Sequence, residues 1–128
     1  MCDWHWKNFS RKELQCKETG ECNMSPSFMD RLQALRIEFG KPMVITSAYR
    51  SRRHSAEKNK RRPGTHSLGC AVDVAVSGED AIQLILLARV HGFTGIGVNQ
   101  KGPRKERFIH LDDAAKQSWR PRPHIWSY

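Results

Sequence analysis

The segment Cys70-Ala71-Val72-Asp73-Val74-Ala75-Val76 alternates with a period of two, and it constrains the fold of this chain more than any other stretch. In an extended strand Cys70, Val72, Val74 and Val76 project to one side, and Ala71, Asp73 and Ala75 to the other. One face is apolar and mostly β-branched; the other is small and carries a single carboxylate. The chain has 128 residues, enough for one compact domain with one core and too few for two. The strand therefore belongs to the sheet of a single domain expected to span residues 1–128.

Caps and periodicity place the remaining elements. Ser10-Arg11-Lys12-Glu13 has capping-box spacing and predicts a short helix that ends before a loop over Cys16 to Asn23. Ser25-Pro26 reads as an N-cap followed by proline at the first helical position, and Phe28, Leu32, Leu35 and Phe39 recur at helical spacing up to Gly40. Pro42 to Ser47 is a short strand that delivers Ala48-Tyr49-Arg50 at its end. From Ser51 to Gly64 cations replace apolar periodicity, which predicts an exposed, mobile loop. Ser77 is placed to cap a further helix, with Ile82, Ile85, Leu86 and Val90 expected to face the core and Gly92 to end it.

Gly95 to Val98 and Glu106 to Asp112 read as an antiparallel pair turning at Gly102-Pro103. The tail from Trp119 to Tyr128, with Pro121 and Pro123, is expected to lie over the core without regular structure. The predicted class is α+β: a small, mainly antiparallel sheet with helices packed on one side. An N-terminal segment (1–24) and a tail (114–128) pack on it.

Charge narrows the partners. Lys and Arg number 22 against 13 for Asp and Glu, a net +9 that draws the molecule to polyanions, whether nucleic acid or an anionic bacterial envelope. The loop cations Arg52, Arg53, Lys58, Lys60, Arg61 and Arg62 have no interleaved aromatic for base stacking, so nucleic acid is not favoured. No run approaches the ~18 apolar residues of a membrane span. The start, Met1-Cys2-Asp3-Trp4-His5-Trp6, lacks the basic and apolar regions of a secretory signal, so synthesis in a cytoplasm is expected, with Cys2, Cys16, Cys22 and Cys70 as thiols. A monomer is expected.

His66 precedes the alternating strand, and Asp73 projects from its small face, so a metal ion fits between them. Catalytic zinc takes imidazole nitrogen and carboxylate oxygen from three protein ligands. His110 is placed to supply the third, because Glu106, Phe108, His110 and Asp112 share one face of the later strand. The competing account of the same residues is a surface histidine and a capping aspartate.

Four motifs in order, Thr46-Ser47-Ala48-Tyr49-Arg50-Ser51, His66-Ser67-Leu68-Gly69-Cys70-Ala71-Val72-Asp73, Gly95-Ile96-Gly97-Val98 and Phe108-Ile109-His110-Leu111-Asp112, resemble those of the zinc D-Ala-D-Ala carboxypeptidase and phage endolysin family, in the superfamily of the hedgehog domain. The resemblance runs from about Phe9 to Trp119. It implies one Zn²⁺ held by His66, Asp73 and His110, and hydrolysis of a peptide bond in the stem peptide of bacterial peptidoglycan. It also implies that Arg50 clamps a substrate carboxylate or the developing oxyanion, with Tyr49 and His54 on the substrate side. A phage-type lysis enzyme, made in the host cytoplasm and acting at the cell wall, fits the size and charge.

One departure touches the chemistry. Branches of the family carry an acidic residue three positions before the last histidine ligand, and here that position is Arg107. Asp112, two residues beyond His110 and ~7 Å along the strand, is the first substitute for a general base. It serves alternatively as a partner that orients a ligand histidine. Glu106 is the second substitute. The departure also leaves open a zinc-binding module without hydrolytic activity, of the hedgehog type.

Overall fold

The computed structural model describes residues 4–128; Met1, Cys2 and Asp3 lie outside the described residues, and with them the expectation of a Cys2 thiol. β2 (Ala71–Ala75) sits between β1 (Val44–Ser47) and β4 (Phe108–Asp112) and runs antiparallel to both. β3 (Gly95–Asn99) continues the sheet antiparallel to β4, and β5 (His124–Ser127) adds to its outer edge in parallel, for an order β1-β2-β4-β3-β5. The α+β class holds.

The two faces of this sheet divide the work as the alternation of β2 predicts. Val72, Val74, Ile96, Ile109 and Leu111 are buried on one face under two helices, α2 (Pro26–Phe39) and α3 (Gly78–Val90). Phe28 and Leu32 of α2 and Phe93, just after α3, are fully buried there, the two phenyl rings edge to face with centroids 5.7 Å apart. Each such side chain contributes roughly 1.5–3 kcal/mol by leaving water. The opposite face carries Ala71, Asp73 and Ala75 of β2 beside Phe108, His110 and Asp112 of β4, because the register pairs Asp73 with His110 and Ala71 with Asp112.

The caps form largely as the sequence dictates. In α1 (Arg11–Leu14) Ser10 accepts from the Glu13 amide, and the Glu13 carboxylate accepts from the Ser10 amide at 2.7 Å. Ser25 caps α2, and Gly40 closes it in the left-handed conformation. Ser77 precedes α3 without capping it; its hydroxyl instead accepts from the Arg104 guanidinium at 3.0 Å.

Three expectations are corrected. In α3 the buried residues are Ala81, Leu84 and Ala88; of the four expected, Ile85 packs partly buried against the core, whereas Ile82, Leu86 and Val90 are 62%, 64% and 76% exposed. The helix is apolar nearly all round, so periodicity does not choose its face. Small alanines let it approach α2 and the sheet closely, and that choice wins. The tail is not irregular throughout: His124-Ile125-Trp126-Ser127 is the fifth strand. The strand read from Glu106 begins only at Phe108, because Arg104–Glu106 forms a short 3-10 turn.

The basic loop is a chain of turns pinned to the N-terminal segment rather than a free excursion. Ser55 donates to Glu18 through its amide at 3.0 Å and its hydroxyl at 2.6 Å, and Arg53 pairs with Glu21. Arg62 lies over the ring of Trp119, 4.1 Å from its centroid, so the tail supplies the aromatic that the loop sequence lacks. Cys16 is buried in the core; Cys70 is half-buried, and burial pushes its thiol up to about 12. Among the described residues, no helix is long and apolar enough to cross a membrane.

Candidate metal centre

His66, Asp73 and His110 come together as the spacing predicts: each is buried, and their ligand atoms all lie within 4.8 Å of one another. β2 brings Asp73 up from the middle of the sheet, and β4 sets His110 opposite it. His66 stands in the turn before β2. It is tied to the end of β1 by the Arg50 amide, which donates to the His66 carbonyl at 3.2 Å.

The ring nitrogens have divided roles. His66 Nδ1 lies 2.7 Å from the Ala48 carbonyl, so it carries the hydrogen and leaves the Nε2 lone pair toward Asp73 Oδ1 at 3.5 Å. His110 is turned the other way. Its Nε2 lies 2.7 Å from Asp112 Oδ2, and its Nδ1 faces Asp73 Oδ1 at 3.1 Å. Two imidazoles with one nitrogen engaged outward and one aimed inward, plus a carboxylate oxygen, are the donor set of a catalytic zinc site. Around a tetrahedral ion with bonds of ~2.0 to 2.2 Å, neighbouring donors stand about 3.3 to 3.6 Å apart, close to the 3.5 and 3.1 Å that separate Asp73 Oδ1 from His66 Nε2 and His110 Nδ1. The residues fit the metal.

The electrostatics favour a cation at this point. Burial works against charge on Asp73, but the hydrogen bonds from His110 and His66 outweigh it and hold the carboxyl well below the usual range. Burial likewise opposes charge on His110, and there the carboxylates of Asp112 and Asp73 prevail and raise its pKa. The carboxylates around the buried His110 ring thus favour positive charge at that point.

Asp112 is fully buried behind the His110 ring, on the side away from Asp73. Its Oδ1 accepts from Arg122 Nε at 3.0 Å and from the Ala114 amide at 3.2 Å, and its Oδ2 accepts from Arg122 Nη2 at 2.8 Å as well as from His110. Burial opposes this charge, yet the hydrogen bonds of His110 and Arg122 bring the carboxyl down to about 2. The carboxylate lies flat over Gly95, where a Cβ would stand 2.4 Å from both oxygens, so glycine is required at that position.

The other expected site residues are scattered. Arg50 stays near the group, with its guanidinium 3.5 Å from Glu57. Tyr49 is instead packed in the core, with Glu21, Cys16 and Cys22 as its electrostatic neighbours. His54 faces Glu18 at 3.2 Å and accepts from the Ala56 amide, pinning the loop. Glu106 is exposed on the 3-10 turn, off the strand that carries His110. The structure therefore does not gather Tyr49, His54 or Glu106 at the cluster.

Residues not expected at the centre take their place. Arg122 and Trp126 arrive on the tail, Trp126 with its ring centroid 5.1 Å from that of His110. Glu57 is 1% exposed; it accepts from Ser67 Oγ at 3.0 Å and Lys60 Nζ at 2.9 Å, and so joins Arg50 to the neighbour of His66. Two signals in the sequence point to them. Glu57 is the one acidic residue between Ser51 and Gly64, and from His124 to Tyr128 every second residue (His124, Trp126, Tyr128) carries an aromatic ring.

A buried His-Asp-His donor set on one face of a mainly antiparallel sheet could hold a metal through mixed nitrogen and oxygen ligation. Residues 7–112 match the sequence model of the Peptidase M15 family, and the chain belongs to that family of zinc D-Ala-D-Ala carboxypeptidases and hedgehog-like domains. By family it is a metallopeptidase, and its His-Asp-His group could hold the metal. No curated protein matches the chain.

Proposed function

We propose that this protein hydrolyses a peptide bond in the stem peptide of bacterial peptidoglycan, as a phage-type endolysin or carboxypeptidase. It is made in a cytoplasm and acts at the cell wall. The observation that carries the reading is the buried His66–Asp73–His110 group, in which each histidine is locked by a partner on its outer nitrogen. These residues would hold one Zn²⁺. When bound, zinc supplies Lewis acidity: it lowers the pKa of water to about 7 and polarises a carbonyl.

The protein side of the mechanism lies in positioning. Asp112 is the orienting partner of His110, not the base, because its oxygens are engaged by Arg122, Ala114 and the far edge of the ring. Arg50, backed by Glu57, is placed to grip a substrate carboxylate. The exposed cations Arg52, Lys58, Lys60 and Arg61 draw the molecule to the anionic wall.

One observation favours a second reading, a zinc module without hydrolysis. Arg107 stands where an acidic residue is expected, and its guanidinium donates to the Gly102 carbonyl at 3.1 Å. The two are separated by incubating the zinc-loaded protein with purified peptidoglycan, counting new amino groups with and without chelator, and weighing the fragments. Chelator-sensitive release supports the peptidase and names the bond. No release from a zinc-replete protein transfers the case to the module.

A further inference from the structure

On β3 the residue opposite His110 is Gly97, and the space its missing side chain leaves is filled from β5. A Cβ on Gly97 would stand 2.7 Å from Trp126 Nε1 and 2.9 Å from the Tyr128 hydroxyl. Both polar tips thus hang over the sheet face that carries the cluster, one strand away from His110. The Trp126 ring leans on His110, and the Tyr128 ring on Phe108, each pair with centroids 5.1 Å apart.

The charges felt at the Tyr128 oxygen are those of Asp73, Arg50 and Asp112: a ligand, the clamp and the partner of His110. The indole N–H of Trp126 can only donate, and its Nε1 shares the space over Gly97 with the Tyr128 oxygen, so it is positioned to donate to that oxygen. The phenol keeps its own hydrogen for another acceptor. Tyr128 is 49% exposed, so a bound peptide can reach it.

We propose that Tyr128 is a catalytic residue, its hydroxyl donating a hydrogen bond to the scissile carbonyl oxygen as that atom gains negative charge, with Trp126 as the positioning residue that aims it. A fixed donor directed at developing charge is among the largest contributions a side chain makes to acyl-group hydrolysis. Burial, the chief influence on this phenol, raises its pKa, so the hydrogen stays on the oxygen through the neutral range. The inference rests on the peptidase reading above.

The test uses the zinc-loaded full chain with Tyr128→Phe and Trp126→Phe, on stem-peptide substrate and on a phosphinate analogue whose tetrahedral oxygens imitate the attacked carbonyl. Tyr128→Phe is expected to lower kcat roughly a hundredfold with KM little changed. It should also weaken phosphinate binding, read by calorimetry, about tenfold or more, with bound zinc at the wild-type level. Trp126→Phe is expected to fall between. A Tyr128→Phe protein with wild-type kcat and phosphinate affinity overturns the proposal, as does one that loses its zinc. If the wild type binds zinc but neither cleaves substrate nor binds the phosphinate, the peptidase reading itself fails and takes this proposal with it.

Discussion

Asp112 Oδ2 lies 2.7 Å from His110 Nε2 while the Arg122 guanidinium grips the same carboxylate through both oxygens. His110, the proposed third ligand, is therefore aimed by a chain of charges that begins in the tail. A carboxylate on the outer nitrogen of a ligand imidazole fixes the ring and makes it a better donor.

Breaking that chain should loosen the metal without touching a ligand. Asp112→Asn is expected to weaken zinc binding roughly 10- to 100-fold. Arg122→Ala, which strands a buried carboxylate, should do likewise and cost about 3 kcal/mol of stability besides. Competition against a chromophoric chelator measures the first effect, and urea unfolding the second.

The same carboxylate sets an acid limit on the metal-free protein. Its folded value of about 2 lies below the ordinary 3.8, so its contribution to stability is complete above the ordinary value and is lost as the pH falls through about 2. The shift corresponds to about 2 kcal/mol. In chelated protein the stability gap between wild type and Asp112→Asn should narrow by that order between pH 5 and the acid end of the window, as read from urea midpoints.

Glu57 holds Arg50 in place from below, and its own charge is stabilised against burial by hydrogen bonds from Lys60 and Ser67. Glu57→Gln should raise KM for a substrate with a free carboxylate by about tenfold while kcat moves much less. Substrate amidated at that carboxylate should show no such difference. Steady-state kinetics on the two substrates checks it.

The corrected face of α3 makes a paired prediction. Leu84→Ala removes a fully buried side chain and should cost about 2 to 5 kcal/mol, whereas Leu86→Lys, at a 64% exposed position, should stay within about 0.5 kcal/mol. Chemical denaturation of both variants measures the contrast.

The parts of this fold written in local chemistry can be read directly from the chain. Ser10 with Glu13, Ser25 with Pro26, and the alternation of β2 each specify their element through nearest neighbours, and all three are found where expected. The ligand group follows from the same alternation, since the pleat puts Asp73 and His110 on one face once their strands pair. What local pattern does not specify is which of two apolar stripes a helix buries. Ile82, Leu86 and Val90 are larger than Ala81 and Ala88, but close packing against α2 selects the smaller set. Nor does it place a terminal strand. Pro121 and Pro123 mark the approach to β5 as irregular, and only pairing with β3 orders His124 to Ser127 and so brings Arg122 and Trp126 to the centre. Glu57 stands among cations that suggest only solvent, and its being the one acid among them is the sole local signal of its role.

The most direct test of the account is the zinc content of the folded protein after equilibrium dialysis, compared between wild type and Asp73→Ala with folding checked by circular dichroism. One zinc per wild-type chain, lost in a folded Asp73→Ala variant, is the predicted result. A folded wild type that takes up no zinc, or an Asp73→Ala protein that keeps it at full affinity, would contradict the assignment of His66, Asp73 and His110 as the metal centre.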